Sequence, residues 1–108
     1  MEKSAGLANA GKGVPTTTEP PYVDNAQVRA FDITYKPGDV NTNPSTLARV
    51  VRALSDGTLQ RTDENGTPHT PQEWKTGQVR YVAAEPGAKY AVKNVGATVL
   101  TLYVVRVK

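Results

Sequence analysis

From Tyr22 onward no stretch of this chain runs far without a proline, a glycine or a turn pair, and that punctuation leaves little room for a helix. Proline inside a helix removes a hydrogen bond and clashes with the preceding turn, and no segment here shows a helical apolar period. Between the breaks lie short runs rich in β-branched residues. The chain is therefore read as all-β, a sandwich or barrel of short strands.

The expected strands are Val28 to Tyr35, Leu47 to Leu54, Thr58 to Asp63, Gln78 to Ala83, Tyr90 to Lys93 and Val99 to Val107. Lys36-Pro37-Gly38-Asp39, Ser55-Asp56-Gly57, Pro86-Gly87 and Asn94-Val95-Gly96 separate them. Glu64-Asn65-Gly66-Thr67, flanked by Thr58 to Asp63 and a following strand, carries the Asn-Gly pair of a type I′ hairpin with a two-residue loop. The last strand is apolar throughout, which suggests burial on both faces or an interface edge. Residues 1–20, rich in Ala, Gly, Thr and Pro, read as a loose or arm-like tail, and 21–108 as a single domain.

Composition excludes several functions. The chain has no cysteine, so it forms no disulfide, thiolate metal site or cysteine nucleophile. A net charge of +3 is spread along the sequence without a basic tract, which reads as a solvated surface and not as a nucleic-acid interface. No apolar run is long enough for a membrane helix. No hydrophobic stretch follows Glu2 and Lys3, so an intact signal peptide is not expected, and the compartment stays undecided. Gly6, Gly11 and Gly13 have no strand before them, so they do not read as a phosphate loop.

The order of strands and turns resembles the cupin superfamily, small jelly-roll barrels also described as double-stranded β-helices. Gly38 and Gly57 fit the two ends of the first cupin motif, with Pro37 and Asp56 beside them. The segment Gly77-Gln78-Val79-Arg80-Tyr81-Val82 opens the second motif, which Pro86-Gly87, Tyr90 and Asn94 close. The resemblance covers roughly residues 22–108. It implies a barrel lumen and, in many members, a divalent metal held by three histidines and a glutamate. The motif puts those four positions at Pro44, Thr46, Tyr90 and Val50. Proline and valine have no side-chain donor atom, and neutral threonine and tyrosine are poor ligands. No metal and no other cofactor is therefore expected.

The single histidine, His69, lies between Pro68 and Pro71 and reads as an exposed loop residue. No Gly-x-Ser-x-Gly elbow accompanies Ser45, and the adjacent acids Asp63 and Glu64 read as turn residues, so no catalytic set is assigned. The resemblance points positions 44, 46, 50 and 90 into the lumen, and alternation adds Arg52, Tyr81 and Val92. Thr46, Arg52, Tyr81 and Tyr90 are the candidate ligand-binding residues, suited to a small polar or anionic ligand. An inward Arg52 would need an anion, either a ligand carboxylate or an internal acid such as Glu85. In so small a barrel, inward side chains are expected to fill the core rather than leave a pocket. Trp74 reads as a cap on one barrel end, and Tyr22 and Tyr35 as half-buried residues with outward hydroxyls. The resulting expectation is a cupin-type barrel without a metal, serving as a binding, accessory or assembly module and pairing into a homodimer. A metal-independent isomerase or epimerase using the lumen is the alternative.

Overall fold

In a computed structural model, residues 13–108 are described, and among them every regular element is a strand. They are β1 (Thr16–Thr17), β2 (Val23–Asp24), β3 (Val28–Tyr35), β4 (Val40–Asn41), β5 (Arg49–Ala53), β6 (Gly57–Asp63), β7 (Gln72–Trp74), β8 (Val79–Val82), β9 (Tyr90–Asn94) and β10 (Leu100–Val107). They form a six-stranded sheet in the order β1-β3-β10-β5-β8, with β2 also paired to β3, and a four-stranded sheet in the order β4-β9-β6-β7. All pairings are antiparallel. From β3 to β10 the chain steps between the two sheets at almost every turn, and this produces the double-stranded β-helix.

Strands β5 and β10 bury alternate residues, because successive side chains point to opposite faces. On β10 these are Leu100, Leu102 and Val104, and on β5 they are Val51 and Ala53. With Phe31, Tyr35, Leu59 and Trp74 they form the apolar layer between the sheets. Strand β10 lies at the centre of its sheet, hydrogen-bonded to β3 on one side and β5 on the other. Its apolar character therefore reflects central placement, and the interface-edge alternative is corrected. The sheet's open edge beyond β5 belongs to β8.

The turn after β3 is tied to the opposite sheet. Gly38, at φ 86°, donates its N–H to the carbonyl of Asn94 (2.9 Å), and the Asn94 N–H returns a bond to Asp39 (3.0 Å). The Asn94 side chain is 1% exposed and fully engaged. Its amide donates to Tyr35 O (3.0 Å) and Thr98 O (2.9 Å), and its oxygen accepts from Gly96 N–H (2.9 Å). Gly57 is needed for a different reason: a Cβ there would stand 2.8 Å from Cβ of Leu100.

Two local expectations change. The hairpin after β6 closes through Asp63 N–H to Thr67 O and Gly66 N–H to Asp63 O (both 2.9 Å). Its loop is thus Glu64-Asn65-Gly66, three residues with Gly66 at φ 89°, and not a two-residue turn. The expected tail also takes part in the sheet, since Thr16 and Thr17 pair with Thr34 and Ile33. Residues 1–12 of that tail, with Gly6 and Gly11, lie outside the described residues. Among the described residues no helix is long and apolar enough to cross a membrane.

Candidate functional site

Between the sheets lies a cavity of about 680 Å³, bordered by residues of both. The expected filled core is corrected: the inward side chains line a space instead of closing it. Phe31, Val51, Leu59, Trp74, Leu102 and Val104 supply apolar wall, and Arg49, Arg61 and Arg106 bring three guanidinium groups. Glu85 is the one carboxylate among the lining residues.

Tyr90 is the hub of this arrangement. It begins β9 in the four-stranded sheet, is 4% exposed, and reaches across to the opposing layer. Its hydroxyl donates to Ser45 O (2.8 Å) and accepts from Arg49 Nη2 (3.2 Å). The guanidinium of Arg61 lies 3.8 Å from the centre of its ring, a cation–π contact within one sheet. Arg61 Nη1 also donates to both carboxylate oxygens of Glu85 (3.1 Å each). The loop carrying Glu85 is held by its own N–H, which donates to Thr46 O (2.8 Å).

Tyr35 also faces the cavity instead of presenting an outward hydroxyl, and it is buried. Burial pushes its phenol up to about 12, partly offset by the bond it accepts from Asn41 Nδ2 (3.3 Å). Tyr22 does point outward, and its hydroxyl donates to Asp32 Oδ2 (2.6 Å). Trp74 is a cavity wall and not an end cap, with the Arg80 guanidinium 4.1 Å above its ring. Three buried donors on cavity-lining residues have no hydrogen-bond partner: Arg61 Nε, Arg106 Nε and Trp74 Nε1.

Of the four candidate ligand-binding residues, only Tyr90 borders the cavity. Thr46 stands just outside it, anchoring the Glu85 loop through its carbonyl. Arg52 and Tyr81 are exposed on the outer face of the six-stranded sheet, Tyr81 at 69%. Their placement in the lumen is corrected, and the cause is parity. On β5 the inward residues are Arg49, Val51 and Ala53, so the expected register on this strand is one residue off and reverses the faces of its side chains. Val50 faces outward as well, at 41% exposure, while Pro44 and Val92 do line the cavity.

The sequence reading therefore missed Arg49, Arg61 and Arg106, and Glu85, expected as an internal acid for Arg52, bonds to Arg61 instead. One signal was available on β10, where Thr101, Tyr103 and Val105 alternate with Leu100, Leu102 and Val104 and put Arg106 on the apolar face. His69 is an exposed loop residue as expected, yet it also stands on the cavity rim. Its Nε2 lies 2.8 Å from Asp63 Oδ1, and Arg61 Nε is 3.9 Å from the same oxygen.

The positions that hold a metal in the resembled family carry Pro44, Thr46, Val50 and Tyr90 here, and Val50 is not even in the lumen. Among the described residues no group of three or more His, Cys, Asp or Glu side chains is placed to hold an ion. The donor set around the cavity does not fit a divalent cation. Guanidinium groups repel one, and the single carboxylate is already bonded to Arg61.

No protein-family model and no curated protein matches the chain. Solved structures do. A cupin domain from Bordetella pertussis Tohama I is 17% identical with a TM-score of 0.74, over 90% of this chain and 96% of that one. An RmlC-like cupin family protein with a double-stranded β-helix fold, from Methanocaldococcus jannaschii, is 19% identical with a TM-score of 0.61, over 90% and 83%. A sugar phosphate isomerase of the cupin superfamily from Silicibacter pomeroyi is 16% identical with a TM-score of 0.52, over 77% and 52%. The chain has the cupin fold.

Proposed function

We propose that this cupin-fold chain is a metal-independent binding module that takes a small organic anion into its lumen. One observation carries the reading: three arginines border the cavity against a single carboxylate, beside an extended apolar wall. Charged groups withdrawn from water need partners, and here the protein supplies too few. A ligand with an acidic head and an apolar body fits both halves of the lining.

The test is a thermal-shift screen of the purified chain against small carboxylates, neutral sugars and divalent ions. A ligand that binds the folded state raises its apparent stability by mass action. Acidic ligands are expected to raise the melting temperature, with sugars and divalent ions giving no shift. A flat response to every anion would overturn the reading, and a saturable response to a stoichiometric divalent ion would replace it with a metal site.

A metal-independent isomerase or epimerase is the second reading. The pairing of His69 with Asp63 on the cavity rim favours it, because a carboxylate orients an imidazole for proton transfer. The isomerase named above shares the fold, which by itself carries no activity over to this chain. Turnover abolished by Tyr90→Phe would favour the enzyme, and binding without turnover would favour the module.

The module is read as a homodimer. Support comes from the outer face of the six-stranded sheet, where Val50, Val79 and Tyr81 are exposed side by side on β5 and β8. Size-exclusion chromatography with light scattering is expected to give twice the chain mass, and a monomer mass at high concentration sinks the idea.

A further inference from the structure

We propose that Arg49 and Arg106 together form the seat for a phosphate monoester, whose apolar body lies along the cavity wall. This rests on the small-anion reading and narrows it to one ligand class. The starting point is register. Arg29 on β3, Arg106 on β10 and Arg49 on β5 are direct cross-strand partners, a row of three like charges across adjacent strands. Side chains so placed have Cβ atoms about 5 Å apart, and like charges directly opposite are destabilising.

The three members of the row differ in what they touch. Arg29 has its own acids, Asp24 at 2.7 Å and Glu19 at 3.9 Å. Arg49 is held by neutral groups, Leu47 O (2.8 Å) and the Tyr90 hydroxyl. Arg106 has no ion pair among the described residues; its guanidinium lies 5.6 Å from the ring centre of Phe31, and its buried Nε has no partner. The cavity's carboxylate cannot serve it, since Glu85 is bonded through both oxygens to Arg61. Two adjacent guanidinium groups thus border the lumen with no negative charge assigned to them.

A carboxylate matches one guanidinium fork and neutralises one charge. A phosphate monoester carries nearly two negative charges at neutral pH and three terminal oxygens, so a single group can accept from both forks. The next inward residues on the same strands are Val51 and Val104, themselves cross-strand partners, so the substituent on the phosphate meets an apolar surface at once.

Calorimetry of the full chain at about pH 7.5, where the second phosphate ionisation is complete, separates the possibilities. The probes are phenyl phosphate, methyl phenyl phosphate with the same ring and one charge fewer, and benzoate. Phenyl phosphate is expected to bind ~10-fold more tightly than either of the others, because each of them carries one charge fewer and leaves one guanidinium uncompensated. Arg106→Gln is expected to abolish that preference, and Arg106→Lys, which keeps the charge and loses the fork, to reduce it. Equal affinity for all three probes in the unaltered protein overturns the phosphate seat while leaving the small-anion reading intact. Binding of none of them overturns both.

Discussion

Arg49 of one sheet donates to the hydroxyl of Tyr90 of the other at 3.2 Å, so the side chain that joins the layers also holds an arginine at the cavity. Packing and site are the same contact here. Tyr90→Phe keeps the ring under Arg61 but removes two bonds, one accepted from Arg49 and one donated to Ser45 O. The expected cost is about 1–2 kcal/mol, because a part-buried carbonyl and a guanidinium each lose a partner. Urea unfolding should show a lower midpoint with an unchanged slope. An unchanged midpoint would mean the bridge contributes nothing to stability.

Asn94 closes the opposite end of the arrangement. Its amide bonds two carbonyls and its oxygen an N–H, all from a position with almost no exposure. Asn94→Ala should therefore cost about 3 kcal/mol, with three backbone groups left to find new partners. Asn94→Asp is the sharper comparison: it retains the acceptor and loses both donors, and its charge is buried. It should be at least as damaging as alanine, and a milder effect would show that the amide donors are not what holds this corner.

Tyr35 gives a pH signature. Its phenol is raised by burial from an ordinary value near 10 to about 12, so the folded state favours the neutral form. That stability is complete below about pH 10 and is lost as pH rises towards about 12, because the unfolded chain ionises first. Stability followed by denaturant unfolding should fall across this window, with one phenolate absorbance step delayed to its upper end. Tyr35→Phe should remove the delayed step and flatten the alkaline decline. A decline identical in the variant would assign the pH dependence elsewhere.

What the residue order could and could not reveal follows from the same side chains. Six long strands and their turns were legible because Pro37-Gly38, Asp56-Gly57 and Pro86-Gly87 interrupt β-branched runs at the points where the chain changes sheet. The short strands β1, β2 and β4 were not, since two residues are too few to show alternation, and the strand expected after the hairpin is β7, which starts only at Gln72. The lumen was misread at β5 for a specific reason. Val50 and Val51 are identical in type, so hydrophobic alternation cannot say which faces inward. An outer face carrying Val50, Val79 and Tyr81 removes the polar contrast that normally fixes the register. The pairing of Glu85 with Arg61 was missed because Glu85 reaches the cavity from the turn between β8 and β9, where sequence periodicity has no meaning.

Glu85 leads to the last expectation. It neutralises Arg61 from inside the lumen, so any acidic ligand enters a cavity whose positive charge is already reduced by one. Glu85→Gln removes that charge while its backbone N–H can still bond to Thr46 O, leaving the loop anchored. The guanidinium of Arg61, stacked on Tyr90, then becomes available to the ligand. At an effective dielectric near the value for partly exposed sites, removing one nearby like charge should tighten binding of an acidic ligand by about 3- to 10-fold. The gain should shrink as salt is raised, because these groups are partly exposed and ions screen them. Phenyl phosphate titrated against both proteins at two salt concentrations measures this directly. Equal or weaker binding by Glu85→Gln would show that Glu85 does not compete with the ligand for Arg61.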